Sequence, residues 1–477
     1  MSGNQTSSAN GEHTNGATTI PVTKILTEWV ASAKPSLLTP ELRSRLRDVI
    51  ADFIAVSAGA ASTVDSSGPI YKAIVAFSAG AKGPCTVMTK GNDRLPPQYA
   101  ALLNACFGHS MDFDDTYAPG SLHAGVTVIA TALAQAEVLG DSCSIEDFQV
   151  GIAVGYEIVC RLGRELGREA YARGFHNTST CGIFGAVSTI AVMKHLDAKT
   201  IDMAFGIAGS KAAGSMQYLD NGSWNKRLHP AFAAHDAFMS VALAEAGVIG
   251  STRSIEGTMG FLNGYSPRPN KDLVRLTSGL GTEWEFLKSA LKPFPACRMT
   301  HVHIEMADNL AQKRKGENVK KVTIYLSAPN MSLVGEPTPN KIHPENVIDG
   351  QFSAYYQYAN SYIYGSQCGM ATYEASRLKD KDIHNLCAKT TCVVDPKIPD
   401  FGSRVLVEYD NGDMAEDYME FPLGEPEHPY TVEQAHKKFD SLLKPVYGDK
   451  QAAAIWDAVE KLDGSSGGVK QLMSLLA

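Results

Sequence analysis

The chain has 477 residues, 44% of them hydrophobic and 20% charged, a balance that excludes a disordered or fibrous protein and supplies enough apolar side chains for a large core. Forty-three Lys and Arg against 51 Asp and Glu leave a net charge of −8. No run of like charge is long enough for a nucleic-acid footprint or a polybasic membrane patch, and no segment approaches the roughly 18 uninterrupted apolar residues of a membrane span.

Residues 1–20 read as a disordered tail, because the stretch from Met1 to Thr19 is rich in Ser, Asn, Gly and Thr and has almost no large apolar side chain to offset the entropy of ordering. It lacks the apolar stretch of a signal peptide and the arginines of a mitochondrial presequence, so the expected location is cytoplasmic. From 21 to 285 the chain reads as helix after helix. Thr39 as N-cap, Pro40 at the first position and Glu41 in the first turn open one helix, whose Leu42, Leu46, Val49, Ile50, Phe53 and Ile54 keep one face apolar. Further helices are expected near 96–110, 126–139, 145–166, 182–195, 199–213 and 229–247, with Ala and Gly contents that permit close packing.

Near residue 286 the pattern changes. Val322, Ile324 and Leu326 alternate at period two, as do Val405, Val407 and Tyr409 before a turn at Asn411-Gly412, while 348–378 reads as helices rich in tyrosine. Residues 286–429 are therefore expected to form a smaller α/β lid domain. From 430 to 477 helix returns, opened by a capping box at Thr431 and Gln434, and is expected to rejoin the helical domain. The fold class is mainly α: a large all-helical domain with a smaller inserted α/β lid domain.

The nine cysteines include no C-x-x-C pair, which fits neither a zinc knuckle nor a dense disulfide framework and argues against an iron–sulfur cluster. There is no phosphate-binding G-x-x-x-x-G-K-[ST] loop and no H-E-x-x-H helix. Gly464-Ser465-Ser466-Gly467-Gly468 matches G-x-S-x-G formally, but in a glycine-serine turn between helices. His301, His303 and Glu305 lack a clear further metal ligand, so no metal site is expected.

Four polar clusters sit beside glycine or proline at the ends of apolar helices. The first, Met111-Asp112-Phe113-Asp114-Asp115-Thr116, is followed by His123; three carboxylates within four residues need compensation, either as helix caps (Asp114, Asp115) or in a site where Asp112 orients His123 for proton transfer. In the second, Gly174-Phe175-His176-Asn177-Thr178-Ser179, donors at a helix N-terminus suit an anion, or else cap the helix around a buried His176. The third, Asp220-Asn221-Gly222-Ser223-Trp224-Asn225-Lys226-Arg227-Leu228-His229-Pro230, spaces Lys226 and His229 to face one cavity, with a solvated basic turn as the alternative. The fourth, Phe294-Pro295-Ala296-Cys297-Arg298-Met299-Thr300-His301, falls at the boundary between the two expected domains, as a ligand site or as a plain linker.

Together, the runs HSMDFDDT, GFHNTSTCGIFGA, GIAGSKAAGSMQYLDNGSWNKRLHPAFAAH, EGTMGFL and KPFPACRMTH resemble the MmgE/PrpD family, which includes 2-methylcitrate dehydratase, cis-aconitate decarboxylase and iminodisuccinate epimerase. The resemblance runs from about Thr23 to the C-terminus. It implies a homodimer, no metal or other cofactor, and a site between helical domain and lid built from Asp112, Thr116, His123, His176 and Lys226, with His229, His301 and Tyr356 as further substrate-binding candidates. It implies a small tri- or dicarboxylate substrate and a lyase that dehydrates 2-methylcitrate or a longer alkylcitrate to an aconitate; the alternatives are decarboxylation of cis-aconitate to itaconate, epimerisation of an imino diacid, and a silent scaffold. Lys226 and His229 would bind carboxylates and stabilise the developing anion, His123 and His176 would move protons, Asp112 would orient His123, and Thr116 would hydrogen-bond substrate. Tyr355, Tyr356 and Tyr358 are expected to line the pocket and set alkyl chain length.

Overall fold

The structure, a computed structural model, describes residues 20–89, 91–268, 271–462 and 468–477. The Ser- and Asn-rich tail and most of the Gly464–Gly468 run lie outside these residues. The chain begins with α1 (Val22–Ser32) and α2 (Pro40–Thr63). The Thr39 side chain accepts the Leu42 N–H, satisfying a donor that the first turn of α2 leaves free. α3 (Ser67–Phe77), a two-stranded hairpin of β1 (Cys85–Thr86) and β2 (Arg94–Leu95), and α4 (Pro97–Ser110) follow.

The next helices are α5 (Gly125–Leu139), α6 (Ile145–Ala172), α7 (Asn177–Met193), α8 (Ala198–Gly209) and α9 (Asn225–Glu245). α6 and α7 pack at backbone distance because Gly155 and Gly185 face each other's helix: a Cβ on Gly155 would collide with Thr189 Oγ1, and one on Gly185 with Val159. Two helices begin earlier than periodicity indicated, α7 at Asn177 and α9 at Asn225, so Lys226 lies in the first turn of a helix. Short helices α10 (Phe261–Tyr265) and α11 (Leu273–Thr277) complete this part.

α12 (His301–Lys313) leads into β3 (Val319–Leu326). Short helices α13 (Ala328–Asn330), α14 (Pro339–Ile342) and α15 (Val347–Gln351), the Tyr-rich α16 (Ala354–Tyr364), then α17 (Ala375–Leu378) and α18 (Lys381–Ala388) connect β3 to β4 (Thr390–Val394), followed by β5 (Ser403–Tyr409) and β6 (Met414–Met419). The sheet order is β4-β3-β5-β6, with β3–β4 parallel and the other pairs antiparallel. Val322, Ile324 and Leu326 of β3 and Val405, Val407 and Tyr409 of β5 share a core with Val302, Met306 and Leu310 of α12 and the tyrosines of α16. Periodicity does not reveal β4, whose Thr390 alone is fully buried.

The chain ends in α19 (Val432–Tyr447), α20 (Asp449–Glu460) and α21 (Gly468–Leu476). Thr431 and Gln434 form the reciprocal capping box at the start of α19. Phe439 and Leu443 of α19 and Leu472 of α21 belong to the same core as Leu26, Phe53, Ile129, Val159 and Phe184 of the N-terminal helices. Lys438 of α19 reaches Asp52 of α2 at 2.6 Å and donates to the Phe113 carbonyl at 2.7 Å. The fold is mainly α with a small α/β part. The nine cysteines are unpaired. No single helix among the described residues is long and apolar enough to cross a membrane.

Candidate active site

α4 ends at Ser110, and the chain turns back through Asp112, which adopts a left-handed backbone (φ 53°) rare outside glycine, asparagine and aspartate. The turn delivers residues 112–123 to where the helical part meets the α/β part, and Gln351 of α15 donates to the carbonyls of Met111 (2.7 Å) and Pro295 (3.1 Å). Thr116 exchanges backbone hydrogen bonds with Ala290 at 2.8 and 2.7 Å. This pairing brings Lys292 against Asp112.

The carboxylate of Asp112 is the electrostatic centre. Its Oδ1 lies 2.7 Å from Lys226 Nζ and 2.7 Å from Lys292 Nζ, and Lys292 also donates to the Asp112 carbonyl at 2.8 Å. Burial alone would raise this carboxyl, but Lys226 and Lys292 outweigh it and hold Asp112 well below the usual carboxylate range. Lys226 also lies over the Phe352 ring, 5.2 Å from its centre.

His123 stands between two acids. Its Nε2 is 3.6 Å from Asp112 Oδ1 and its Nδ1 is 3.1 Å from Asp114 Oδ2, while its backbone N–H donates to Thr178 Oγ1 at 3.0 Å. The same Asp114 oxygen is 2.8 Å from His109 Nδ1. His109 in turn stacks on His176, rings 5.6 Å apart and 27° from parallel. His176, just before α7, lies with its Nδ1 3.0 Å from His229 Nδ1. Burial pushes all four imidazoles towards the neutral form, His109 and His229 down to about 4.

Asp112, Thr116, His123, His176, Lys226 and Lys292 share the wall of one interdomain cavity of about 440 Å³. Much of the remaining wall is apolar, including Leu122, Met216, Leu219, Leu333, Phe352 and Phe401. Among the described residues the buried Thr116 hydroxyl has no hydrogen-bond partner. Arg298 and Arg168 also line the cavity, paired to Glu425 at 2.5 Å and to Asp400 at 3.2 Å.

Several expectations are corrected by these contacts. His123 is held at Nδ1 by Asp114, whereas Asp112 is occupied by the two lysines. Asp115 is the capping acid of the cluster, accepting the Gly125 N–H at the start of α5; burial first, then Asp114 and Asp52, push its carboxyl up to about 8. Thr178 and Ser179 do not cap α7: Thr178 accepts from His123, and Ser179 Oγ donates to the His229 carbonyl. His229 is off the cavity wall, behind His176. His301 is fully buried between Arg298 and the Ala296 carbonyl, and the Tyr356 hydroxyl donates to the Thr372 carbonyl inside the lid; neither lines the cavity. Tyr355 and Tyr358 are lid core as well, so the expected chain-length residues lie elsewhere.

Lys292, His109 and the orienting role of Asp114 were not read from the sequence. The available signal was a lysine enclosed by apolar neighbours in Ala290-Leu291-Lys292-Pro293-Phe294, where a solvated cation is out of place. Among the described residues, one group of three has metal-ligand spacing: His109, Asp114 and His123, with ligand atoms within 4.8 Å of one another. Two ammonium groups close by disfavour a dication there.

The lowered histidines set a pH dependence of stability. Unfolded histidine binds a proton near pH 6.5, whereas folded His109 and His229 do so only near 4, so in that window the unfolded chain holds the extra protons. Stability is then complete above pH 6.5 and falls as the pH drops through 6.5 towards 4. Melting temperatures between pH 7.5 and 4.5 should decline over this interval, and His109→Asn should flatten the decline.

The MmgE/PrpD N-terminal domain model matches residues 24–273 and the C-terminal domain model residues 294–464, and the chain belongs to the MmgE/PrpD family. It is 28% identical to the cis-aconitate decarboxylase-like protein oryM of Aspergillus oryzae, over 96% of this chain and 97% of that protein. Cis-aconitate decarboxylase of Aspergillus terreus is 26% identical over 93% of each chain, and the Homo sapiens protein of the same name 29% identical over 54% of each.

Proposed function

We propose that this protein is a lyase that dehydrates a citrate-type tricarboxylate carrying an alkyl group, 2-methylcitrate or a longer alkylcitrate, to the corresponding aconitate. The observation that carries this reading is the division of one cavity into a polar end with two ammonium groups and two imidazoles and an extensive apolar wall. Dehydration beside a carboxylate needs a base for the C–H proton, an acid for the departing hydroxyl and cations for the charge that develops.

In this mechanism Lys226, Lys292 and the Thr116 hydroxyl bind the substrate carboxylates. His123, with its Nδ1 proton directed at Asp114, removes the C–H proton through Nε2. The C–H electron pair forms the C=C bond, the C–O bond breaks, and the leaving hydroxide takes a proton to depart as water. That proton is the one His123 has taken up, and His176, whose Nε2–H is left outward when His229 donates to its Nδ1, hydrogen-bonds the departing oxygen. The apolar wall contributes nothing to a bare tricarboxylate, but each methylene buried against it contributes about 0.8 kcal/mol. The assembly proposed is a homodimer, with exposed Phe232 and Met239 of α9 and the neighbouring Phe77–Tyr99 pair as the surface for the second copy.

Decarboxylation of cis-aconitate is the second reading, favoured by the names of the relatives: the C–C electron pair would remain on carbon and be protonated by an imidazole as CO2 leaves. Proton NMR and mass spectrometry of reactions with 2-methylcitrate, a longer alkylcitrate and cis-aconitate separate the two. Water loss from a citrate, abolished in Lys226→Ala and His123→Ala, is expected, with kcat/KM rising about fourfold per added methylene until the wall is filled. CO2 release from cis-aconitate would favour the second reading. Inertness towards all three would sink the tricarboxylate reading.

A further inference from the structure

His109 and Asp114 are almost completely buried and do not line the cavity, so neither touches a substrate bound there. Both nevertheless hold the imidazoles that do. One oxygen, Asp114 Oδ2, is 2.8 Å from His109 Nδ1 and 3.1 Å from His123 Nδ1. An ionised carboxylate only accepts hydrogen bonds, so His109 presents Nδ1–H to it, and for His123, at ion-pair distance from the same oxygen, Nδ1–H is the tautomer that avoids setting a ring lone pair against the carboxylate. That assignment leaves Nε2 of His123 deprotonated, on the side where Asp112 gathers the two lysines. The His109 ring is fixed against both cavity histidines, edge-on to His123 with centres 4.6 Å apart and stacked on His176.

We propose that Asp114 and His109 are positioning residues: Asp114 sets the tautomer of His123, and His109, bound to the same oxygen, locks that carboxylate and braces the His123 and His176 rings at their working separation. This rests on the acid–base reading of His123 given above, and is independent of which tricarboxylate is used. The role explains why a third histidine is buried beside the two on the cavity wall. A purely structural role for His109 would require only a side chain that fills its space.

The test uses full-length protein labelled with 15N at histidine, with the His123 signals assigned by their loss in His123→Gln. The wild type should show the Nδ1–H, Nε2-unprotonated form of His123 at neutral pH. Asp114→Asn should mix the tautomers and lower kcat by about 10²–10⁴-fold, with KM within about threefold. His109→Leu, which removes the donor, should lower kcat by about 10–100-fold, while His109→Asn, whose amide N–H can take the place of Nδ1–H, should recover most of it.

An Nε2–H tautomer in the wild type would overturn the proposal, and so would His109→Leu at full kcat. So would a stoichiometric metal in the purified protein whose chelation abolishes activity, since His109, Asp114 and His123 would then be ligands. The tautomer measurement needs no substrate, so it stands even if every tricarboxylate proves inert, an outcome that would defeat the proposed reaction alone.

Discussion

Lys292→Met is expected to lower kcat/KM by about a hundred- to a thousandfold, the loss that follows removal of one preorganised donor to a developing anion. Methionine keeps much of the length and apolar bulk of the side chain but gives up the ammonium, which is 1% exposed and lies 2.7 Å from Asp112 Oδ1. Lys226→Met should have an effect of the same order, because its ammonium reaches the same oxygen from α9. The two losses should not add, since both cations act on one carboxylate and one ligand. Steady-state kinetics of the two single variants and the double variant decide the matter; full activity in Lys292→Met would remove it from the site.

Asp112→Ala is expected to cost about 3–5 kcal/mol of stability, the scale for deleting one member of a buried ion pair. Lys226 and Lys292, both buried, would then face each other with no shared counter-charge. The backbone adds to the loss, because alanine at φ 53° meets a left-handed penalty of about 1–2 kcal/mol. Asp112→Asn should fold better, as asparagine tolerates that conformation, yet remain deeply impaired in catalysis. Urea unfolding with an unchanged slope would report these differences as stability alone. The Asp112 carboxyl is depressed, so its contribution is complete above the unfolded value near pH 3.9 and lost only as the pH falls through the lower folded value.

The residues that came together and those that did not separate along a physical line. Asp112, Thr116, His123, His176 and Lys226 all line one cavity, and each had stood out as a polar residue at the end of an apolar helix. His301 stood out in the same way and Tyr356 came from the family resemblance alone, but Arg298 and the Thr372 carbonyl satisfy them. A buried polar group must find a partner, and sequence does not say whether that partner is the chain or a ligand. Lys292 was overlooked for the converse reason: no neighbour in sequence explains it, since its acid lies 180 residues away.

By itself, the sequence determined the mainly helical class, the helix starts at Pro40 and Val432, the alternating strands β3 and β5, and the small set of polar residues among which the site had to lie. Those features rest on caps, turns and periodicities that act within a few residues, so chain order is enough to express them. The tertiary structure alone decided the division of labour among Asp112, Asp114 and Asp115, the withdrawal of His229 behind His176, and the apolar wall to which Leu219, Leu333 and Phe401 contribute. Each depends on which distant group shares a buried space with which charge, and that becomes defined only when the helical and α/β parts of the chain pack together.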